Sequence, residues 1–144
     1  PAVGIVYAPA KDRLFFSCEK GHAFEIHNGK KTALNCKKKN TNETIALSNS
    51  DKTPGEVMNV YKQYKVSRII KMSSSLKFCV LAAGEADLYA AKARAFEWDI
   101  AAGHTILEHA GGSITTHEEK EILYGKESYK NLSIIAKRAV NLEK

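Results

Sequence analysis

Asp99 is the carboxylate of this chain whose sequence position best suits a role in ligand or metal binding. It occurs in the run Trp98-Asp-Ile-Ala-Ala-Gly103, at the start of a helical pattern of apolar residues. A carboxylate at a helix N-terminus is stabilised by the helix dipole and the unpaired amides, and its open face can bind a hard cation through oxygen. The small side chains of Ala101 and Ala102 would let a phosphate or a neighbouring backbone approach closely. A plain helix cap has the same pattern, and spacing alone favours the cap.

A lysine, Lys77, is the second candidate. It lies near the start of another predicted helix, after a serine run at residues 73–75 that can cap that helix. A lysine ammonium there supplies a point charge for a phosphate, whereas a surface lysine is the simpler interpretation of one sequence. Two residues next to these candidates are expected to be buried. Cys79, near Lys77, is expected to be a small core residue. Trp98 is expected to pack in the core behind the Asp99 site.

The elements that would position these residues alternate along the chain. The third strand is expected to end at the Asn28-Gly29 turn. Residues 30–42 are expected to form a polar connection between two units. The strand at 67–70 is expected to be buried. From residue 44 the alternation predicts an α/β layer, a mixed sheet with parallel pairing flanked by helices. Strands are predicted at residues 4–7, 14–18, 24–26, 44–47, 67–70, 86–89, 113–115 and 132–136, and helices at 56–64, 76–83 and 99–110.

The longest motif identifies a family. Trp98-Asp-Ile-Ala-Ala-Gly103, followed by Glu108-His-Ala-Gly-Gly112, resembles the second signature of the inositol monophosphatase superfamily. The resemblance continues through Ser74-Ser-Leu-Lys-Phe-Cys79, Ala86-Asp-Leu-Tyr89 and Leu123-Tyr-Gly-Lys126, so it covers nearly the whole chain. It implies the C-terminal part of a layered αβαβα sugar-phosphatase fold.

Within that fold the resemblance divides the chain in two. Residues 1–43 correspond to the terminal strands of an N-terminal α+β phosphatase domain whose remainder is missing, and residues 44–144 to a C-terminal α/β domain. The missing N-terminal half of the same protein is therefore an expected partner.

The resemblance also implies a metal. In the family the Asp of this signature is a metal ligand, which carries over to Asp99 and to Mg²⁺. The family's first signature, Asp-Pro-x-Asp-Gly-Thr, and an upstream glutamate ligand do not occur in this chain. A two-metal phosphatase needs several carboxylates converging on cations roughly 4 Å apart. The full-length protein is expected to use metal-activated water, and this chain alone is expected to be inactive.

The substrate class depends on the stretch around Lys77. Ser74-Ser-Leu-Lys77 resembles the 3′(2′),5′-bisphosphate nucleotidase branch, in which the matching Ser and Lys contact the nucleotide. The inositol branch usually carries a Glu where this chain has Ala91. The resemblance therefore implies removal of the 3′-phosphate of adenosine 3′,5′-bisphosphate, a by-product of sulfur assimilation, with Ser74, Lys77, Ala101 and Ala102 as substrate-binding residues.

Two departures from the nucleotidase pattern keep other functions open. The branch carries an Arg after the Tyr89 strand, for which Lys92 or Arg94 would have to substitute, and a His where this chain has Asp51. An inositol monophosphatase-type sugar phosphatase and a catalytically inactive fragment that binds anions remain as alternatives.

Composition narrows the class of protein. The chain has 144 residues, 22 Lys and Arg against 16 Asp and Glu, and a formal charge of +6, which favours anionic partners. Its densest basic run, residues 37–39, has no interleaved aromatic residue, so a nucleic-acid surface is not expected. No apolar run reaches the roughly 20 residues of a membrane span. Three widely separated cysteines predict neither a disulfide framework nor a paired metal site, which indicates a reducing cytoplasm.

Overall fold

The computed structural model describes residues 1–36 and 43–138, and the elements in this part of the chain form two sheets and three helices. The predicted basic run at 37–39 lies outside the described residues. The first sheet contains β1 (Gly4–Ala8), β2 (Arg13–Glu19), β3 (His22–His27) and β4 (Lys30–Ala33); the second contains β5 (Ile45–Ser48), β6 (Arg68–Lys71), β7 (Leu88–Ala91), β8 (Ser113–Thr116) and β9 (Ile134–Lys137); the helices are α1 (Gly55–Gln63), α2 (Leu76–Ala82) and α3 (Glu97–His109).

The first sheet is an antiparallel meander in the order β1-β2-β3-β4. The predicted β1-β2 hairpin is confirmed, with Ile5 opposite Phe16. The predicted polar connection at 30–42 is wrong at its start, because residues 30–33 form β4. The reason is the turn: Asn28 and Gly29 both have positive φ, 49° and 72°, and such a turn matches the twist of a hairpin and returns the chain along β3.

The second sheet is mixed, as predicted, in the order β6-β5-β7-β9-β8. The strands β6, β5 and β7 run parallel to one another. β9 pairs antiparallel with both of its neighbours, β7 and β8. The expectation that 67–70 forms a buried strand is wrong. β6 is the edge strand of this sheet, and its Ile69 is 40% exposed, because an edge strand has a neighbour on one side only.

Helices α2 and α3 lie between the two sheets, and α1 covers the other face of the second sheet through Val57, Val60 and Tyr61. Close backbone approach holds the inner layer together. A Cβ on Gly103 of α3 would lie 2.6 Å from the Phe78 ring of α2, and one on Gly4 of β1 would meet the Ala102 carbonyl oxygen. Only glycine allows these distances, so they fix α3, and with it Asp99, against both neighbours.

The first sheet has a largely apolar outer face, on which Lys31 of β4 lies with its Nζ 4.0 Å from the Phe24 ring centre. Its inner face, including Phe15, Ser17 and Ala23, is buried against α3. The outer face carries two cross-strand rows that the register aligns, and we call this surface the open sheet face. Its rows are Ile5-Phe16-Phe24 and Tyr7-Leu14-Ile26.

The longest helix among the described residues is α3, with 13 residues, and no helix in this part of the chain is long and apolar enough to cross a membrane.

Candidate functional site

A cleft of about 850 Å³ opens at the carboxyl ends of the parallel strands β5 and β7. Residues after β5, residues after β7, the start of α2 and the start of α3 meet there, which is where α/β sheets generally bind ligands. Its polar and charged lining residues are Ser48, Asn49, Ser50, Ser73, Ser74, Ser75, Lys77, Tyr89, Lys92, Arg94, Asp99 and Asn131.

Three of the five predicted site residues, Ser74, Lys77 and Asp99, line this one cleft. Ala101 and Ala102 do not line it; both are half-buried further along α3. Both lie in the second turn of α3, and the Ala102 carbonyl oxygen lies close to Gly4 of the first sheet. The structure therefore brings the charged candidates together and leaves the two alanines outside the group.

Lys77 holds its charge inside the cleft. The residue is only 4% exposed. Its Nζ donates a hydrogen bond of 2.6 Å to the Ser74 carbonyl oxygen and lies 4.8 Å from the centre of the Tyr89 ring. Burial, and then repulsion from Arg94, lower the pKa of Lys77 to about 8. An anion that enters the cleft would stabilise the charged form of Lys77, because it offsets both the cost of burial and the repulsion from Arg94.

Asp99 is exposed and is the third residue of α3, since that helix begins at Glu97 rather than at Asp99 as predicted. Its Oδ2 accepts a hydrogen bond of 2.8 Å from the Phe96 N–H. The carboxylate thus makes one half of a capping box, and the capping role that the sequence left open is present. The cap uses one carboxylate oxygen while the residue still lines the cleft.

The described residues do not by themselves fit a two-metal centre. Among them there is no group of three or more His, Cys, Asp or Glu side chains that could hold a metal ion. Asp99 is the only carboxylate among the described residues that line the cleft. The nearby Glu97 is otherwise engaged: hydrogen bonds from Lys126 and then from the Gly125 amide lower its pKa to about 2.

The residues that depart from the nucleotidase pattern divide into two groups. Lys92 and Arg94, the possible substitutes for the missing Arg, both line the cleft, and Lys92 also pairs with Glu56 at 3.1 Å. Asp51 does not line it, and its Oδ2 accepts a 2.6 Å hydrogen bond from Lys71. Asn49 and Ser50 line the cleft in its place, and Asn49 donates a 2.7 Å hydrogen bond to the Tyr89 hydroxyl.

Trp98 is not core packing, which corrects the expectation. It is 65% exposed, and its ring stacks on Phe96 with centroids 4.8 Å apart and planes 5° from parallel. The apolar stripe of α3 that enters the core is formed by Ile100, Ile106 and Leu107, and Trp98 lies off that stripe. The expected burial of Cys79 is confirmed, with 0% exposed, and burial raises the pKa of its thiol to about 12.

Sequence reasoning missed a buried ion pair that holds the second sheet. The Arg138 Nε donates a 2.5 Å hydrogen bond to Asp87 Oδ1, and Asp87 Oδ2 accepts one of 2.8 Å from the Ile45 N–H. Arg138 also donates to the Cys36 carbonyl oxygen at 2.8 Å. The only local signal was an aspartate inside an apolar strand, because the two partners lie 51 positions apart.

A layered α/β fold with a cleft at the carboxyl ends of its parallel strands belongs to the class of α/β proteins whose ligand sites lie at that edge of the sheet. The chain belongs to the inositol monophosphatase family, whose model matches residues 1–143. This confirms the family that the sequence motif indicated.

Its relatives include several named 3′(2′),5′-bisphosphate nucleotidase CysQ. The chain is 36% identical over 117 residues to that of Buchnera aphidicola, covering 81% of this chain and 43% of that protein. It is 29% identical over 132 residues to that of Salmonella typhimurium, covering 91% and 52%. The crystal structure of CysQ from Bacteroides thetaiotaomicron superposes with a TM-score of 0.82 at 28% identity, over 95% of this chain and 58% of that one.

A tomato inositol monophosphatase 2 is 34% identical over 124 residues, covering 79% of this chain and 45% of that protein. The chain therefore spans about half the length of the curated relatives it matches.

Proposed function

We propose that this chain is the C-terminal half of a Mg²⁺-dependent phosphatase that removes the 3′-phosphate of a 3′,5′-bisphosphorylated nucleoside such as adenosine 3′,5′-bisphosphate. The observation that carries the proposal is the meeting of Ser74, Lys77 and Asp99 in one cleft. The cleft has three basic side chains, including Lys92 and Arg94, and one carboxylate among its described residues. The CysQ names of the relatives support the substrate class.

In this proposal the residues of the chain bind and orient the substrate. The Lys77 ammonium neutralises the phosphate that is not cleaved, because it is buried and no carboxylate among the described residues pairs with it. Lys92 and Arg94 add positive potential at the mouth. Asp99 would supply one carboxylate ligand for Mg²⁺. The remaining ligands would come from the N-terminal half of the same enzyme, which corresponds to the part of the relatives that this chain does not match.

The open sheet face supports a protein partner of the same origin. Ile5 and Tyr7 are 63% and 57% exposed on it, and apolar surfaces of this kind are usually covered in a functional protein. We propose that the N-terminal half of the same enzyme packs there, with the boundary between the two units near residue 43. Cys18, Cys36 and Cys79 form no disulfide among the described residues, and a reducing cytoplasm is the location that we propose.

The proposal is tested by phosphate release with Mg²⁺ present. We expect none from the 144-residue chain alone, and turnover of adenosine 3′,5′-bisphosphate by a chimera in which this chain replaces the matched part of Salmonella CysQ. Asp99→Asn should abolish that turnover, whereas Asp51→Asn, a carboxylate outside the cleft, should leave it unchanged. In the same chimera the amides of β1 should exchange more slowly with solvent than in the chain alone.

Turnover by the chain alone that is lost in Asp99→Asn would refute the division into halves. Unchanged amide exchange in an active chimera would show that the partner does not cover the open sheet face.

An inositol monophosphatase-type sugar phosphatase is the second candidate, favoured by the 34% identity to the tomato enzyme. Ala91 lines the cleft at the position where that branch carries a Glu, so no carboxylate is available there for a sugar hydroxyl. A chimera that prefers inositol monophosphate would decide for this candidate. Binding of phosphate without turnover in any full-length form would instead identify a non-catalytic anion-binding domain.

A further inference from the structure

Three neighbouring aromatic rings, two of which line the cleft, lie next to one another. Phe96 stacks on Trp98, and the Trp98 ring centre lies 6.0 Å from that of Tyr129. Trp98 is 65% exposed and Tyr129 51% exposed, and both Phe96 and Trp98 line the cleft. We call these three residues the aromatic lip. A single exposed apolar side chain is ordinary, but adjacent exposed aromatic rings beside a cleft indicate a binding surface.

The lip is held in place by backbone contacts on both sides. The Glu97 N–H donates a 2.8 Å hydrogen bond to the Tyr129 carbonyl oxygen. The Glu97 carboxylate accepts from the Gly125 and Lys126 amides at 2.9 and 3.0 Å. The Phe96 N–H is bonded to Asp99. The rings therefore sit on a prearranged turn, and a ligand that stacks on them would not have to order the chain first.

Positive charge surrounds the lip. Lys92 and Arg94 line the same cleft, and the Lys130 Nζ lies 5.8 Å from the Phe96 ring centre. Proteins that bind single-stranded nucleic acids without sequence preference combine aromatic side chains with nearby cations. The base stacks on the aromatic ring and the phosphates bind the cations. An inositol phosphate has no flat ring, so the lip would contribute little to its binding.

We propose that the aromatic lip is a nucleobase-stacking subsite of this cleft, with Trp98 as the residue that the base contacts. This inference rests on the proposed bisphosphate function, and it adds a residue that the base of the nucleotide would contact. Lys77 then binds phosphate inside the cleft while the base lies on Trp98 at the mouth.

Trp98 is the only tryptophan in the chain, so its fluorescence reports on the subsite alone. We would titrate the chain with adenosine 3′,5′-bisphosphate and with the abasic sugar 3′,5′-bisphosphate, and measure both affinities by calorimetry. The nucleotide should bind more tightly than the abasic compound and quench Trp98 more strongly. Trp98→Ala should weaken the nucleotide about 5- to 150-fold, as expected for loss of one stacked base, and leave the abasic compound unchanged. Trp98→Phe should recover part of the loss.

Leu123→Ala is the matched control, because Leu123 is 66% exposed and is not among the described residues that line the cleft. It should affect neither ligand. Equal affinity of the two ligands for the wild-type chain, or an equal loss of both in Trp98→Ala, would overturn the subsite while leaving the bisphosphate site intact. If neither ligand binds the wild-type chain, the proposed substrate class fails together with the subsite.

Discussion

Replacing Lys77 by methionine separates the role of its charge in binding from its role in packing. Methionine has a similar length and can fill the same buried space, but it carries no ammonium. We expect Lys77→Met to bind adenosine 3′,5′-bisphosphate roughly ten- to a hundredfold more weakly, because a charge-assisted contact to phosphate contributes about 1.5 to 3 kcal/mol. Calorimetric titration at pH 7 measures this loss.

The same substitution should stabilise the fold. Burial lowers the pKa of Lys77 from 10.5 to about 8, so at pH 7 the ammonium costs the folded state free energy. Allowing for solvent screening in an open cleft, this cost is of the order of 2 kcal/mol. Urea denaturation of Lys77→Met should show a gain of that order in the free energy of unfolding. Loss of binding together with gain of stability is the expected result for a binding lysine kept in an unfavourable place.

The dependence on pH gives a second, independent readout. The pKa of Lys77 is lower in the folded than in the unfolded chain. The unfolded chain therefore binds more protons than the folded chain between pH 8 and 10.5. The contribution of Lys77 to the free energy of unfolding should rise with pH across that window. Bisphosphate affinity should fall over the same window as the ammonium deprotonates. Lys77→Met should lack both changes.

Lys71→Met is the control, because Lys71 is exposed, pairs with Asp51 and is not among the described residues that line the cleft. It should lose little affinity and gain no stability. The reasoning on Lys77 is refuted if Lys77→Met binds the bisphosphate as well as the wild type does, or if it unfolds at lower urea concentration.

Two further predictions concern the scaffold. Asp87→Ala should lower the free energy of unfolding by about 3 to 5 kcal/mol in urea denaturation, since it removes one member of the buried Asp87–Arg138 ion pair. Asp51→Asn, which removes an exposed pair, should cost under about 1 kcal/mol, and equal losses in the two variants would contradict this. Hydrogen bonds from Lys126 and Gly125 lower the pKa of Glu97 from its usual 4.5 to about 2 in the folded state, so its contribution to stability should be lost as pH falls through that interval. Glu97→Gln should flatten acid unfolding between those values, and an unchanged acid transition would show that its contacts with Lys126 do not stabilise the fold.

Most strands and helices were predictable because their signals are local. The apolar runs of β1 and β2 and the spacing of Val57, Val60 and Tyr61 in α1 depend only on neighbouring residues. The errors occur where a distant element decides the outcome. Whether 67–70 is buried depends on its place in the sheet, and an edge position cannot be derived from the four-residue stretch Ser67-Arg-Ile-Ile70 alone.

The site was predictable to a lesser extent. The family motif singled out Lys77 and Asp99, and the structure places both in one cleft. The position of Trp98 could not be predicted in the same way, because its neighbour Tyr129 comes from a loop 31 positions later. The pairing of Asp87 with Arg138 likewise has no sequence periodicity behind it.

At Asp99 the sequence posed two alternatives, a helix cap or a metal ligand, and the structure makes them compatible. The Phe96 N–H bonds to Oδ2 only, which fixes the orientation of the carboxylate at the cleft wall. Asp99→Asn retains a side-chain oxygen for this bond, so its stability should change little while the charge that we propose binds Mg²⁺ is lost. Asp99→Ala removes both and should cost about 1 kcal/mol of unfolding free energy in addition. If Asp99→Asn and Asp99→Ala lose the same stability and the Asn chimera stays active, Asp99 is a cap and nothing more.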